Sequence, residues 1–204
     1  MYIELEELSP NQIYVTMTQA IIPRPIAWVL SDNGNDGYNL APYSYFNAIC
    51  SQPPLIFISV GKKPDGSHKD TRVNIEERHR FVVHIAHRDL AVPMTETSRT
   101  LPHGVSELDR VDLGLTEFDG FSLPRLADCR VALACELYEI QEIGLAPQSL
   151  IFGKVRSIYV DDGVASTDDK GRLKVLAEKV DPIGRLGASE YVTFGEILSI
   201  PRPK

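Results

Sequence analysis

Between positions 61 and 74 the chain runs Gly61-Lys62-Lys63-Pro64-Asp65-Gly66-Ser67-His68-Lys69-Asp70-Thr71-Arg72-Val73-Asn74. Small hydroxyls, an amide and a lysine gather at the start of a predicted helix. That combination suits a phosphate. Backbone N–H groups in the first turn of a helix lack intrahelical acceptors, and the helix dipole favours an anion there. Ser67, Thr71 and Asn74 can add hydrogen bonds, and Lys69 can add a charge-assisted one. The segment carries neither a P-loop nor a GxGxxG pattern. Its phosphate would therefore belong to something other than a typical nucleotide-fold ligand. The same order of strand, turn, cap and helix also builds ordinary connections.

Other chemistry finds less support. His84 and His87 lie three apart on a predicted strand, so they face opposite sides and converge poorly on a metal ion. Glu76 and Glu77 read as a solvated helix face. Ser44, Ser51 and Ser59 lack the G-x-S-x-G elbow of a hydrolase. Cys50, Cys129 and Cys135 form no CxxC pair and read as buried free thiols in a reducing compartment. No catalytic residue and no metal ligand is assigned.

The elements that must position the 61–74 segment are mostly strands. Apolar, β-rich runs predict strands at 26–31, 38–42, 55–60, 81–86, 131–140 and 149–160. Asp32-Asn33-Gly34-Asn35-Asp36-Gly37 is a turn signal between the first two. Short helices are expected at 71–78, 90–98 and 106–110. Segment 161–170 reads as an exposed excursion, and 201–204 as an extended tail. Long antiparallel strands with few helices predict a mainly β fold, a β-barrel with short helices. No composition break divides the 204 residues, so one domain over 1–204 is expected.

Bulk composition narrows the partners. Hydrophobic residues make up 43% and charged residues 24%, the profile of an ordinary globular protein. The net charge of −7 disfavours a broad nucleic-acid or anionic-membrane surface. No apolar run approaches the ~20 residues that span a bilayer. The acidic start Met1-Tyr2-Ile3-Glu4-Leu5-Glu6-Glu7 has no signal-peptide core. A cytoplasmic protein is expected.

Five segments, taken in order, resemble a known family. They are Pro23-Arg24-Pro25-Ile26-Ala27-Trp28-Val29, Asn39-Leu40-Ala41-Pro42-Tyr43-Ser44-Tyr45-Phe46-Asn47, Pro53-Pro54-Leu55-Ile56-Phe57-Ile58-Ser59-Val60 and Lys69-Asp70-Thr71-Arg72-Val73-Asn74-Ile75. The fifth runs from Gly114-Leu115-Thr116 through Leu123-Pro124-Arg125-Leu126-Ala127-Asp128-Cys129 to Ala134-Cys135-Glu136-Leu137. The set resembles the flavin reductase-like, FMN-binding split-barrel proteins over about residues 21–192.

The resemblance implies a Greek-key split barrel that forms a homodimer and holds FMN near the subunit interface. It implies an FMN-dependent oxidoreductase of flavin reductase type, with NADH or NADPH as co-substrate. The alternative is a non-catalytic FMN-binding or electron-transfer protein. Tyr43, Ser44, Tyr45, Phe46 and Asn47 mix aromatic walls with donors, as an isoalloxazine ring needs. Ser44 and Asn47 are the candidates for its polar edge or the ribityl chain. By the same resemblance Ser67, Lys69, Thr71 and Asn74 hold the phosphate, with Asp70 in the same cradle. Arg24 is a further polar contact, and Arg185 belongs to a C-terminal region near the flavin or the dimer contact. His84 stands where many relatives carry another polar residue, often asparagine.

Overall fold

The computed structural model describes every residue except 35, 36, 146, 202 and 204. Asn35 and Asp36 of the predicted turn, and Arg202 and Lys204 of the predicted tail, thus lie outside the described residues. Trp28, Val29 and Leu30 begin the architecture, because a strand apolar on both sides must be covered on both. They form β1 (Ala27–Asp32), which pairs with β2 (Tyr38–Tyr43) as an antiparallel hairpin. Then come β3 (Phe46–Ser51), β4 (Pro54–Val60), β5 (Arg80–His84), the short β6 (Leu115–Thr116) and β7 (Arg125–Leu126), and the long hairpin of β8 (Val131–Ile143) and β9 (Gln148–Val160). Among the described residues, seven of these strands join in one sheet of order β2-β1-β5-β8-β9-β4-β3, and every pairing in it is antiparallel.

The side chains show that this sheet curls on itself. Ala27 and Val29 of β1 pack in one buried cluster with Ile56, Ile58 and Val60 of β4, although β5, β8 and β9 lie between those strands in the sheet. Only a closed curl brings such distant strands into contact across an interior. Phe81, Val83, Cys135 and Ile151 fill the same space, and Ile75 caps it from the helix α2 (Asp70–Arg78). Gly153 is required there: a Cβ at that position would lie 2.4 Å from the Phe81 ring. The opposite face of β1, Trp28 and Leu30, joins Val82, Ala132 and Ala134 in a second core. Met94, Phe118, Leu123, Leu126 and Ile183 cover it from outside the barrel. The Trp28 indole donates to Thr97 Oγ1 at 2.9 Å. This is a mainly β split barrel.

The helices depart from expectation in places. The segment 90–98 yields only α3 (Ala91–Glu96), and 106–110 is a 3-10 turn, Glu107–Arg110. The expected excursion after β9 folds back as a hairpin of β10 (Ala165–Thr167) and β11 (Leu173–Val175). It is followed by α4 (Ala177–Val180) and a small pair, β12 (Gly184–Arg185) with β13 (Tyr191–Val192). Like the short α4, the longer helix α1 (Pro10–Ala20) was not anticipated. Its start is a capping box, in which Ser9 Oγ accepts from Gln12 N and Gln12 Oε1 accepts from Ser9 N. Its apolar pattern is weak because only Thr18 is buried, while Tyr14, Val15 and Met17 are exposed. Strand β3 was also not anticipated. Cys50, expected to be buried, is exposed on it, whereas Cys129 and Cys135 are buried. Among the described residues no helix is long and apolar enough to cross a membrane.

His84 shows how tightly the second core is tied. It is fully buried, with Nδ1 3.1 Å from Trp28 O, and its Nε2 accepts from Leu126 N at 2.9 Å. The ring is therefore neutral, with its proton on Nδ1. Burial pushes its pKa down from 6.5 to about 4. An unfolded chain takes up this proton as pH falls below 6.5, and the folded chain resists until about pH 4. His84 thus stabilises the fold fully above pH 6.5, and that contribution is lost progressively between those limits, by roughly 3 kcal/mol in all. Denaturant melts of His84→Gln should show a flatter pH dependence between pH 6.5 and 4 than the unaltered protein. Parallel curves would show that His84 does not titrate this way.

Candidate active site

The end of β2 and the start of α2 meet at one hydroxyl. Thr71 is almost fully buried, and its Oγ1 accepts from Asn39 Nδ2 at 2.7 Å and from Tyr43 Oη at 2.9 Å. Two donors on one hydroxyl leave its own proton to be donated elsewhere. Burial raises the Tyr43 pKa, so its phenol stays protonated and serves as a donor. β2 thereby fixes the first turn of α2.

Lys69 is the residue that precedes this helix. No side chain caps the turn. Its ammonium lies 5.6 Å from the centroid of the Tyr43 ring, within reach of a cation–π contact. Among the described residues no carboxylate lies within 4.0 Å of it. Burial first, then the charge of Lys63, holds its pKa below the ordinary lysine value. Asp70 contrasts with it. Burial raises the Asp70 pKa, but hydrogen bonds from Lys63 and His103 outweigh that and bring it below the usual range. Its Oδ1 is 2.6 Å from Lys63 Nζ and 3.1 Å from His103 Nδ1. The acid of this cluster is compensated, whereas Lys69 is not.

Adjoining cavities open at this point. One of about 90 Å³ is walled by Lys63, Lys69, Thr71, Thr97, Ser98 and Arg99. A second, about 470 Å³, lies between Ile13, Tyr14 and Met17 of α1 and the turn Pro42–Tyr45, with Lys69 and Gln148 at its edge. A third, about 330 Å³, places Arg185, Ser189 and Tyr191 opposite Ser44, Met94 and Ser98. Lys69 borders the first two. Pro42, Tyr43 and Ser44 border the last two.

The predicted residues divide on this geometry. Tyr43, Ser44, Tyr45, Lys69 and Thr71 converge on the connected space. Phe46 and Asn47 line a further cavity of about 410 Å³ with Arg24 and Phe57, and Met17, Ser44, Tyr45 and Ser59 border both it and the second. Asn47 is exposed, and its Oδ1 accepts from Ala48 N at 2.8 Å. Arg24 is buried and already engaged: it donates to Thr18 O and Ile21 O at 2.6 Å, to Leu186 O at 2.8 Å and to Ser44 Oγ at 3.4 Å. It ties α1 and the C-terminal segment to the turn. Ser67 is exposed and turned to the Asp65 carboxylate, with Oγ at 2.6 Å. Asn74 is buried behind the helix, where Nδ2 donates to Ser31 Oγ at 3.2 Å and to Asn33 Oδ1 at 2.8 Å. It fastens α2 to the β1 hairpin, and neither Ser67 nor Asn74 borders the cavities above.

Sequence reasoning missed several walls. Tyr14 and Met17 arrive on α1, whose only strong local signal is the capping box Ser9-Pro10-Asn11-Gln12. Thr97, Ser98 and Arg99 carry no local pattern. Glu107 also borders the small cavity; its Oε2 accepts from Leu40 N at 2.9 Å, and burial raises its pKa.

Comparison with known proteins agrees with this fold. A family model described as "flavin reductase like domain" matches residues 18–177. An uncharacterised protein of Halalkalibacterium halodurans is 33% identical over 207 residues, covering 100% of this chain and 97% of the relative. Nitrilotriacetate monooxygenase component B from Bacillus cereus superposes with a TM-score of 0.89 at 33% identity, over 98% of each chain. The 2-nitrobenzoate 2-nitroreductase of Pseudomonas fluorescens does so with a TM-score of 0.88 at 32% identity, over 100% of this chain and 96% of that one. From barrel, cavities and these likenesses together, the chain belongs to the flavin reductase like family.

Proposed function

We propose that the protein binds FMN and acts as an oxidoreductase of flavin reductase type, drawing on NADH or NADPH. The observation that carries this reading is the half-buried Lys69, with no carboxylate within 4.0 Å among the described residues, at the uncapped start of α2 beside the pinned Thr71 hydroxyl. A cation, a hydroxyl donor and free helix N–H groups form a donor set suited to a phosphate dianion. Family membership supports a flavin as its owner. Lys69, Thr71 and the first-turn N–H groups would hold the phosphate. Tyr43, Ser44, Tyr45 and the α1 residues Tyr14 and Met17 would enclose the ring system, with Ser44 offering a polar contact. The bound flavin supplies the two-electron redox chemistry. The chain's own residues bind, orient and exclude water, and none of them is needed as an obligate acid or base.

The reading extends to a homodimer. β3 is an edge strand with five of its six residues exposed, Ile49 among them. Tyr138, Ile143 and Ile158 on the long β8–β9 hairpin are also exposed. A second copy would cover this apolar strand surface.

Anaerobic addition of NADH or NADPH to the FMN-loaded protein should bleach the flavin absorbance quickly. A flavin that stays oxidised would refute the reductase and leave an FMN-binding or electron-transfer module. The Lys69→Ala/Thr71→Ala double variant should bind FMN more weakly by about 2–5 kcal/mol, read by flavin fluorescence titration. Unchanged affinity would remove both residues from the site.

A further inference from the structure

Two arginines sit side by side on one backbone bridge and differ in what they have left to offer. Arg24 N donates to Arg185 O at 3.0 Å, and Arg185 N donates to Arg24 O at 2.8 Å. The Arg24 guanidinium is engaged by three carbonyls and a hydroxyl. The Arg185 guanidinium donates only to Ala188 O among the described residues. It is nonetheless held in place. Its centre lies 4.7 Å from the centroid of the Tyr191 ring, and Tyr191 Oη is 2.9 Å from Thr95 Oγ1. Among the described residues no carboxylate lies within 4.0 Å of it. A planar fork of five donors, positioned and mostly unused, matches a carboxylate.

We propose that Arg185 anchors the carboxylate of a small aromatic second substrate in the cavity next to the flavin. This rests on the flavin reading above. The cavity of about 330 Å³ has apolar walls in Ile26, Pro42, Met94 and Tyr191, with Arg185 and Ser189 on its polar side. That volume is near the lower end of the ~300–1,000 Å³ typical of small-molecule sites. It suits one ring system rather than an extended dinucleotide. The cavity shares Pro42, Tyr43 and Ser44 with the larger one assigned to the flavin, so a ring held by Arg185 would lie against the flavin's neighbourhood. The phosphate has its own cation in Lys69, which leaves Arg185 to the second ligand.

The test uses benzoate and its neutral isostere benzamide, titrated into FMN-loaded protein and followed by perturbation of the flavin spectrum. Benzoate should bind more tightly than benzamide by about tenfold or more; in Arg185→Gln the preference should fall below about twofold, and Arg185→Lys should lie between. FMN affinity should move by less than about twofold in either variant. A benzoate preference that survives in Arg185→Gln, or one absent from the unaltered protein, overturns the proposal. So does an Arg185→Gln variant that weakens NADH binding while leaving the benzoate preference intact, because Arg185 would then serve the dinucleotide's phosphates. Should Arg185→Gln fail to fold by circular dichroism, an Arg185→Lys variant with the full preference overturns the bidentate contact. A protein that takes up no FMN refutes the flavin reading instead, and calorimetric titration of the unloaded protein with the two probes then decides Arg185 by the same criterion.

Discussion

A half-buried ammonium group loses hydration, and folding restores that loss only if a counter-charge arrives. Among the described residues Lys69 has none within 4.0 Å, although acidic side chains are close by. Asp70 is taken by Lys63 and His103, and Glu107 accepts from the backbone of β2. The free N–H groups of α2 and the dipole behind them add to the same positive potential. Such a cluster is suited to a ligand that brings two negative charges. The remaining architecture can be understood as the means of holding this unsatisfied point still.

The barrel supplies that rigidity from both sides. β1 is covered on its inner face by β4 and α2 and on its outer face by the layer of α3, β7 and the C-terminal segment. Its hairpin partner β2 carries Asn39 and Tyr43 to the Thr71 hydroxyl, and Asn74 bonds back toward Ser31. The helix start is therefore fixed by three side-chain ties to strands that are themselves packed into the core. Arg24 does the corresponding work on the other side of the turn, gathering α1, Ser44 and Leu186 around one buried guanidinium. The cavities lie where these two sets of ties meet.

Much of the scaffold was legible in the chain because strand signals are local. The runs at 55–60, 131–140 and 149–160 are apolar, β-branched and bounded by turn residues, and all three are strands. α1 was not legible, since its apolar residues look outward and its start is marked only by the Ser9 box. In the 61–74 segment the sequence reading placed Ser67, Lys69, Thr71 and Asn74 in one cradle, whereas the structure sends Ser67 and Asn74 elsewhere. Ser67 turns to Asp65 because an Asx-type bond two residues back is the nearest partner available. Asn74 lies a full turn beyond Lys69 and points toward β1 instead of the helix's open end. Thr97, Ser98 and Glu107 reach the site through packing of distant segments, which no spacing rule in the sequence reveals.

Comparing FMN with riboflavin tests the central claim most directly, because the two differ only in the phosphate. Equilibrium titration of the unaltered protein with each should show FMN binding more tightly by a factor on the order of 100 or more, as expected for several charge-assisted hydrogen bonds. Equal affinities for the two flavins would mean that Lys69, Thr71 and the start of α2 do not hold the phosphate, and the account of this site would fall.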